Sequence, residues 1–198
     1  MPAVAGSRAE ASERVRDAIV QAAVRIAARE SVSAVTHRRL AAEAGVSLSS
    51  TTWHFATKND ILEAALRWTA RREVARIGEI AERLGNAEFD PAAWAEELAD
   101  WLLEQVTGER DQVVALYRLQ IELLGSPRAR DVHREWGGEL RALGERVLAH
   151  STALAPELDV RLISAVLDGL RLTVLSSGEP DIEWLRPAVR RQLRALLG

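Results

Sequence analysis

The side chains best suited to chemistry lie between residues 36 and 58, and their types suit the binding of a polyanion better than catalysis. They combine hydroxyl, imidazole and cationic groups, at Thr36, His37, Arg38, Ser47, Ser49, Ser50, Thr52, His54 and Lys58. Hydroxyl and cationic groups donate hydrogen bonds to phosphate oxygens, and short polar side chains let a helix lie close to base edges. We therefore expect this segment to contact nucleic acid.

Signals of helix start and helix end place these side chains on two short helices. Thr36 has the side chain and the position of an N-cap, and the helix that follows it, His37–Ala44, is ended by Gly45, a residue that takes a positive φ at little cost. A second short helix is predicted over Leu48–His54. Two short helices joined by a glycine turn form a helix-turn-helix, whose second helix can enter the major groove of DNA.

Each of these side chains also has a purely structural interpretation. Thr36 could act only as a cap, His54 could be a packed histidine, and Arg38 and Lys58 could be ordinary exposed residues. Trp53 is expected to be half buried in the small core rather than to read bases. Because paired helices are also a common structural unit, the pattern as a whole favours DNA binding more strongly than any single residue does.

The whole block resembles the DNA-binding module of the TetR (tetracycline repressor) family. The resemblance covers about Arg14 to Leu66 and rests on the turn at residues 45–47, on Trp53-His54-Phe55 and on Lys58. It implies backbone contacts from the start of the first short helix, base contacts from the second, and phosphate contacts at its end and at the lysine. In that order, the implied residues are Thr36, His37 and Arg38; Ser47, Leu48, Ser49, Ser50 and Thr52; and Trp53, His54 and Lys58.

Three positions depart from the family pattern. The family usually has Leu, Tyr and Pro where this chain has Thr51, Thr52 and Ala56. The aromatic phosphate contact of the family is therefore absent at Thr52, and the groove contacts are expected to be fewer or differently shared.

The rest of the chain is divided by glycine and proline into further helices, and almost nothing alternates with the period of two that strands require. We predict an all-α fold of about nine helices, with an N-terminal three-helix DNA-binding domain over residues 1–57 and a C-terminal helical domain over residues 58–198. Residues 1–72 contain 11 basic and 7 acidic side chains, a net charge of +4, whereas the remaining residues contain 15 and 22, a net charge of −7. This asymmetry is expected when one end of a protein approaches a polyanion.

The last two helices are more apolar than one neighbour in the same chain can cover. The final helix carries a single seam that starts near Ile182. We predict that both helices pair with their counterparts in a homodimer, as a four-helix bundle, although the same seams could form the core of a monomer. The predicted dimerisation residues are Leu162, Val166, Leu170, Leu185, Val189 and Leu193.

Aromatic and polar residues between these two regions are candidates for a pocket. The family resemblance implies a small-molecule effector there, at Trp94, Trp101, Tyr117, Gln120, His133, Trp136 and Arg171. Aromatic residues at helical spacing also form ordinary cores, and Asp168 with Arg171 could be either pocket groups or a structural pair.

Several protein classes are disfavoured by what the sequence lacks. It contains no cysteine, no phosphate-binding loop and no hydrolase or metalloprotease motif, and its histidines do not have metal-ligand spacing. It has no apolar stretch of about 18 residues. We therefore expect a soluble, cytoplasmic protein that is not an enzyme and has no metal or cofactor. The expected function is that of a repressor released from a palindromic operator by its effector; the alternatives are an activator and a helical interaction module with a non-functional helix-turn-helix.

Overall fold

The computed structural model of the protein describes residues 3–84, 90–149, 156–177 and 182–197. Within these ranges it contains nine α-helices and no strand, which confirms the predicted all-α fold. The helices are α1 (Ala3–Arg29), α2 (His37–Ala44), α3 (Leu48–His54), α4 (Lys58–Leu84), α5 (Pro91–Thr107), α6 (Arg110–Glu122), α7 (Pro127–Leu148), α8 (Pro156–Ser176) and α9 (Leu185–Leu197).

The two short helices have the predicted bounds because a capping residue fixes each end. The Thr36 hydroxyl accepts a hydrogen bond from the Arg39 amide at 3.3 Å and caps α2. Gly45 ends α2 with a φ of 67°, in the left-handed region that favours glycine. Ser47 caps α3 by accepting from the Ser50 amide at 3.0 Å. These local hydrogen bonds satisfy amides that a helix start leaves without an intrahelical partner.

The last helix begins later than its apolar seam suggested. Ile182 lies before α9, in a turn in which the Leu185 amide donates to the Ile182 carbonyl at 3.1 Å. Apolar spacing alone continues through such a turn. The seam therefore predicts which face of the helix is buried better than it predicts the residue at which the helix begins.

The described residues form two compact units. One holds the residues up to Ala70 together with residues 111–132, and the other holds residues 71–110 together with the residues from 133 onward. Helix α4 contributes residues to both. The domain boundary between residues 57 and 58 stays a prediction, because it separates functions along the chain and not packed groups of helices.

The core of the first unit is formed by α1 against the two short helices. Ile19, Ile26 and Leu40 are fully or almost fully buried, and Phe55 joins them after the end of α3. The Arg25 guanidinium bonds the Glu43 carboxylate at 2.6 Å and links α1 to α2. These contacts hold α2 and α3 from one side and leave their other side exposed.

In the second unit, α5 packs against α8 and α9. Eight of its 17 residues are buried, and the α9 residues Leu185, Val189 and Leu193 are 0%, 1% and 3% exposed in the same core. Half of the predicted dimerisation residues therefore lie inside their own chain, because α9 presents a single seam that α5 covers. The side chains of these three residues are therefore not exposed for contact with a second subunit.

In the described ranges, every helix is too short or too polar to cross a membrane.

Candidate nucleic-acid interface

Helix α3 presents almost its whole side-chain surface to solvent. Among its seven residues only Thr51 is buried, whereas Leu48 is 53% and Trp53 75% exposed. The interpretation of Trp53 as half buried in the core was wrong. Its ring meets only the edge of the His54 ring, with the centroids 4.5 Å apart. A tryptophan this exposed on a short helix is available to a partner.

The hydroxyl groups at the start of α3 form one small cluster. The Ser47 Oγ lies 2.8 Å from the Ser49 Oγ and 2.7 Å from the Ser50 Oγ. The Thr52 hydroxyl donates to the Ser49 carbonyl at 3.1 Å. These groups are short and lie at or near a helix N-terminus, where hydroxyls and backbone amides can donate to an anion.

Thr51, one of the departures from the family pattern, joins α2 to α3. Its buried hydroxyl donates to the Leu48 carbonyl at 2.8 Å and lies 3.2 Å from the His37 Nδ1. Because its proton is used on Leu48, the hydroxyl accepts from the His37 Nδ1–H. The His37 Nε2 then donates to a phosphate only when the imidazole is charged.

Two cations lie beside this surface in different settings. Arg38 is exposed, and in the described parts of the chain no carboxylate pairs with it, whereas the neighbouring Arg39 bonds Glu30. Lys58 is half buried, and its Nζ donates to the Ser33 carbonyl at 3.3 Å, in the loop that precedes α2.

The imidazole of His54, at the end of α3, has a lowered pKa. Burial lowers the pKa of its imidazole, and the nearby positive charge of Arg16 lowers it further against a weaker opposing effect of Glu13. The Arg16 guanidinium itself lies 5.3 Å from the centroid of the Phe55 ring. His54 therefore adds an uncharged imidazole to the α3 surface at neutral pH.

Two arginines from distant parts of the sequence hold the helices around this surface. The Arg118 Nη1 donates to the carbonyls of Ala27 and Ala28, both at 2.8 Å, and so satisfies the end of α1. The Arg128 Nη1 bonds the Asp60 carboxylate at 2.7 Å, at the start of α4. Sequence reasoning missed both, because partners about 70 to 90 positions apart leave no local signal.

Two of the predicted effector residues line cavities of the second unit. Trp94 lines an apolar cavity of the second unit, and Trp101 lines a separate polar one. His133 and Trp136 stack on one another on α7, with ring centroids 5.9 Å apart. Tyr117 and Gln120 lie on the part of α6 that belongs to the first unit, and Arg171 lies on α8.

The apolar cavity has a volume of about 90 Å³ and is partly open to solvent. Its one hydroxyl side chain, Ser164, donates to the Val160 carbonyl at 2.9 Å and so offers little to a polar ligand. The lining is Ile77, Trp94, Leu98, Leu140, Leu143, Gly144, Val147, Leu148, Val160, Ile163, Ser164, Leu167 and Leu193. Such a surface suits an apolar or aromatic molecule.

Arg171 has the geometry of a structural cation. Its Nη2 bonds the Glu73 Oε1 at 2.8 Å, both side chains are buried, and the Asp168 Oδ1 lies 3.5 Å from its Nη1. Its guanidinium also lies over the ring of Trp101, 5.1 Å from the centroid. Sequence spacing indicated Asp168 as a partner of Arg171, but it could not indicate Glu73, which lies 98 positions away. Among the described residues, no cluster of acidic and histidine side chains could hold a metal ion.

Helix α8 carries a regular exposed stripe on its outer face. Leu158, Leu162, Ala165, Gly169 and Leu172 follow one another at alternating spacings of four and three, and all five are exposed. Val166 and Leu170, which were also predicted for dimerisation, are half buried beside this stripe. The spacing is that of a seam between two helices, with small residues at its centre.

Family models match most of the chain. Residues 19–65 match the model described as bacterial regulatory proteins of the tetR family. Residues 89–198 match the model described as a tetracyclin repressor-like C-terminal domain. A comparison with curated proteins gives no significant match.

Solved structures of similar proteins cover nearly the whole chain. The multidrug binding protein EbrR complexed with ethidium is 34% identical, over 90% of this chain and 98% of that one, with a TM-score of 0.67. EbrR complexed with imidazole is 35% identical, over 89% and 93%, also with a TM-score of 0.67. A member of the TetR family from Streptomyces coelicolor A3 is 33% identical, over 90% and 97%, with a TM-score of 0.69.

Proposed function

The chain belongs to the TetR family of bacterial regulatory proteins, and we propose that it binds a palindromic operator as a homodimer and leaves it when a small molecule binds. Family membership supports a DNA-binding transcriptional regulator. The palindromic operator, the homodimer and the small-molecule effector are what we propose in addition. A regulator of this kind acts in the cytoplasm, where bacterial DNA is found.

The surface of α3 is the observation that carries the proposal. It combines a capped helix N-terminus, a cluster of serine hydroxyls, and the exposed side chains of Leu48 and Trp53. Hydroxyls suit phosphates and base edges, and apolar side chains suit thymine methyl groups and sugars. Arg38 and Lys58 add positive charge beside it. We infer that α3 enters the major groove while these two cations contact the backbone.

A homodimer is supported by the exposed stripe of α8. Leucines at a regular spacing, with Ala165 and Gly169 between them, let two copies of α8 approach closely around a twofold axis. Two recognition helices in such a dimer would read half-sites about one helical turn, roughly 34–36 Å, apart. We therefore propose the residues of the stripe as the interface residues. Leu162 is the one residue of the stripe that the sequence analysis also predicted.

The apolar cavity supports an aromatic effector. EbrR binds ethidium and imidazole in its solved complexes, and it is about one-third identical to this chain. The cavity around Trp94 and Leu98 offers ring and aliphatic contacts but few polar groups. We propose that occupancy of this cavity shifts the dimer towards a spacing of its α3 helices that no longer fits the operator.

Selection of bound sequences from a random duplex pool by the purified protein tests the proposal. We expect enrichment of a palindrome with two half-sites about one helical turn apart. Because ethidium itself intercalates into duplex DNA, its binding to the protein is measured in the absence of DNA, where we expect it to saturate. A variant with Trp53→Ala serves as the control and should enrich the same palindrome poorly. No enrichment at moderate salt would contradict DNA reading by α3 and would favour a helical interaction protein.

A further inference from the structure

The second unit contains another cavity, which is polar and lies between α4 and α5. Residues 72–79 and 101–109 line it, around a volume of about 300 Å³ that is partly open to solvent. Its rim is made of exposed ion pairs. Arg72 bonds Glu109 at 3.2 Å, and Arg76 bonds Glu104 at 2.8 Å.

The lining of this polar cavity includes three buried side chains. Glu73, Trp101 and Gln105 are 7%, 3% and 6% exposed. In the described part of the chain, the Glu73 Oε2, the Gln105 Oε1 and the Trp101 Nε1 have no hydrogen-bond partner. Buried polar atoms without partners are costly and uncommon in native proteins. Two acceptors and one donor on the lining of a single cavity therefore indicate a site for a molecule that satisfies them.

The charges around the cavity favour a cationic molecule. Four glutamates line it against two arginines, and Arg171 bonds the other oxygen of Glu73 from outside the lining. The guanidinium of Arg171 covers a face of the Trp101 ring, so the polar edge of the indole, with its Nε1, is the part left for hydrogen bonding. Burial raises the pKa of the Glu73 carboxyl, which Arg171 opposes. A second cation beside the carboxyl would stabilise its ionised form further.

We propose that this polar cavity binds a small protonated amine. Its ammonium group donates to the Glu73 Oε2 and the Gln105 Oε1, and a neighbouring hydroxyl or carbonyl oxygen accepts from the Trp101 Nε1. The site is separate from the apolar cavity around Trp94, and it does not depend on the proposed binding of DNA. The protein would then respond to two classes of molecule through two cavities.

The two tryptophans allow the two cavities to be observed independently. In the ¹⁵N-labelled full-length protein, six tryptophans give six indole signals, and the variants Trp94→Phe and Trp101→Phe assign the two that matter. Three probes of similar size are titrated: ethanolamine, which is cationic, ethylene glycol, which is neutral, and glycolate, which is anionic. We expect ethanolamine to shift the Trp101 signal saturably and to leave the Trp94 signal in place. The other two probes should shift neither signal at the same concentrations.

Variants of the lining then identify the groups that bind the amine. Glu73→Gln should weaken ethanolamine binding at least about tenfold, as expected for loss of a hydrogen bond to a charged group. Gln105→Met removes the second acceptor at nearly constant side-chain volume and should also weaken ethanolamine binding. Glu97→Gln, at a half-buried position of α5 that bonds Arg83 and does not line the cavity, is the control and should leave the affinity unchanged.

Three results would overturn the proposal: no shift of the Trp101 signal by ethanolamine, equal binding of ethylene glycol, or wild-type affinity in Gln105→Met. If Glu73→Gln does not fold because Arg171 has lost its buried partner, Gln105→Met still decides the question. Since none of these measurements uses DNA, a failure here leaves the proposed regulator intact, and a failure to find an operator leaves this site intact.

Discussion

Helices α3 and α8 both expose a continuous outer face, but the chemistry of the two faces differs. The face of α3 carries hydroxyl groups and a single exposed tryptophan, Trp53, whereas that of α8 carries Leu158, Leu162 and Leu172 at coiled-coil spacing. Hydroxyls gain from a polar partner, and a regular row of leucines gains from an identical row. We therefore propose a different partner for each exposed face, DNA for α3 and a second copy of the chain for α8.

The two helices are also held in place by different interactions. In α3 only Thr51 is buried, so its caps and the hydrogen bonds of its hydroxyls matter most. In α8 the inner face is packed in the core through residues such as Leu167 and Val174, and Arg171 forms a buried ion pair. The short helix α3 is therefore held mainly by local hydrogen bonds, whereas the long helix α8 is positioned mainly by burial.

The largest effect is expected from a bulky charge in the α8 stripe. A Cβ at Gly169 would meet nothing within 4 Å, so Gly169→Arg should leave the fold of the subunit intact and abolish the dimer. Loss of the second reading helix should then weaken operator binding by about 10²-fold or more. Light scattering and DNA titration measure the two effects.

Gly137→Arg is the matched control, because Gly137 is also an exposed helical glycine with open space around a Cβ. It should leave both the dimer and the DNA affinity unchanged. A Gly169→Arg protein that stays dimeric would show that the stripe of α8 has another role.

The next largest effect concerns a pair of tryptophans. Trp53→Ala should weaken DNA binding about tenfold or more, while the free energy of unfolding changes by no more than about 0.5 kcal/mol, because the ring is 75% exposed. Trp101→Ala removes the same type of side chain at a position where it is 3% exposed, and it should lower the free energy of unfolding by about 3–5 kcal/mol. Urea unfolding and DNA titration measure the two variants. A large loss of stability in Trp53→Ala would mean that Trp53 is part of the core after all.

A smaller effect tests the caps of α3. Ser47→Ala removes the acceptor of the Ser50 amide and should reduce the free energy of unfolding by about 1 kcal/mol. Ser49→Ala changes an exposed serine of the same cluster that caps nothing, and it should stay within about 0.5 kcal/mol. Thermal unfolding of the two variants compares them directly. Equal effects would show that burial, and not capping, holds α3.

The smallest effect concerns the ion pairs that join α5 to α9. Hydrogen bonds from Arg190 and Arg186 lower the pKa of the Glu96 carboxyl to about 2, from its ordinary value of 4.5. The ionised carboxylate therefore adds stability above pH 4.5, and this contribution is lost as the pH falls from 4.5 towards 2. In unfolding measured across that window, Glu96→Gln should lose less stability than the wild type. An equal acid loss in Glu96→Gln would exclude a contribution from these pairs.

The sequence predicted the features of the fold that are encoded locally. Thr36 and Gly45 mark the bounds of α2, and Ser47 marks the start of α3, because caps act within a few residues. Features that depend on packing were not visible. The exposure of Trp53 and the burial of Leu193 depend on which neighbouring helix covers each side chain. A row of apolar residues in the sequence has the same pattern whether its own chain or a partner covers it.

Contacts between distant positions were also beyond sequence reasoning. The pairing of Glu73 with Arg171 and the capping of α1 by Arg118 each join residues about 90 or more positions apart. For the same reason, the predicted effector residues combined side chains of two compact units and two cavities. Spacing along one helix cannot show which cavity a side chain lines.

The most direct test of the account is the salt dependence of binding to the selected duplex, measured by fluorescence anisotropy between about 50 and 200 mM salt. Arg38→Ala and Lys58→Ala should each weaken binding to every sequence and reduce the slope of log K against log salt by about 0.9, with the dimer intact. Arg146→Ala, an exposed arginine on α7, should bind as the wild type. Unchanged slopes in Arg38→Ala and Lys58→Ala, or loss of the dimer, would contradict the placement of DNA against α2 and α3.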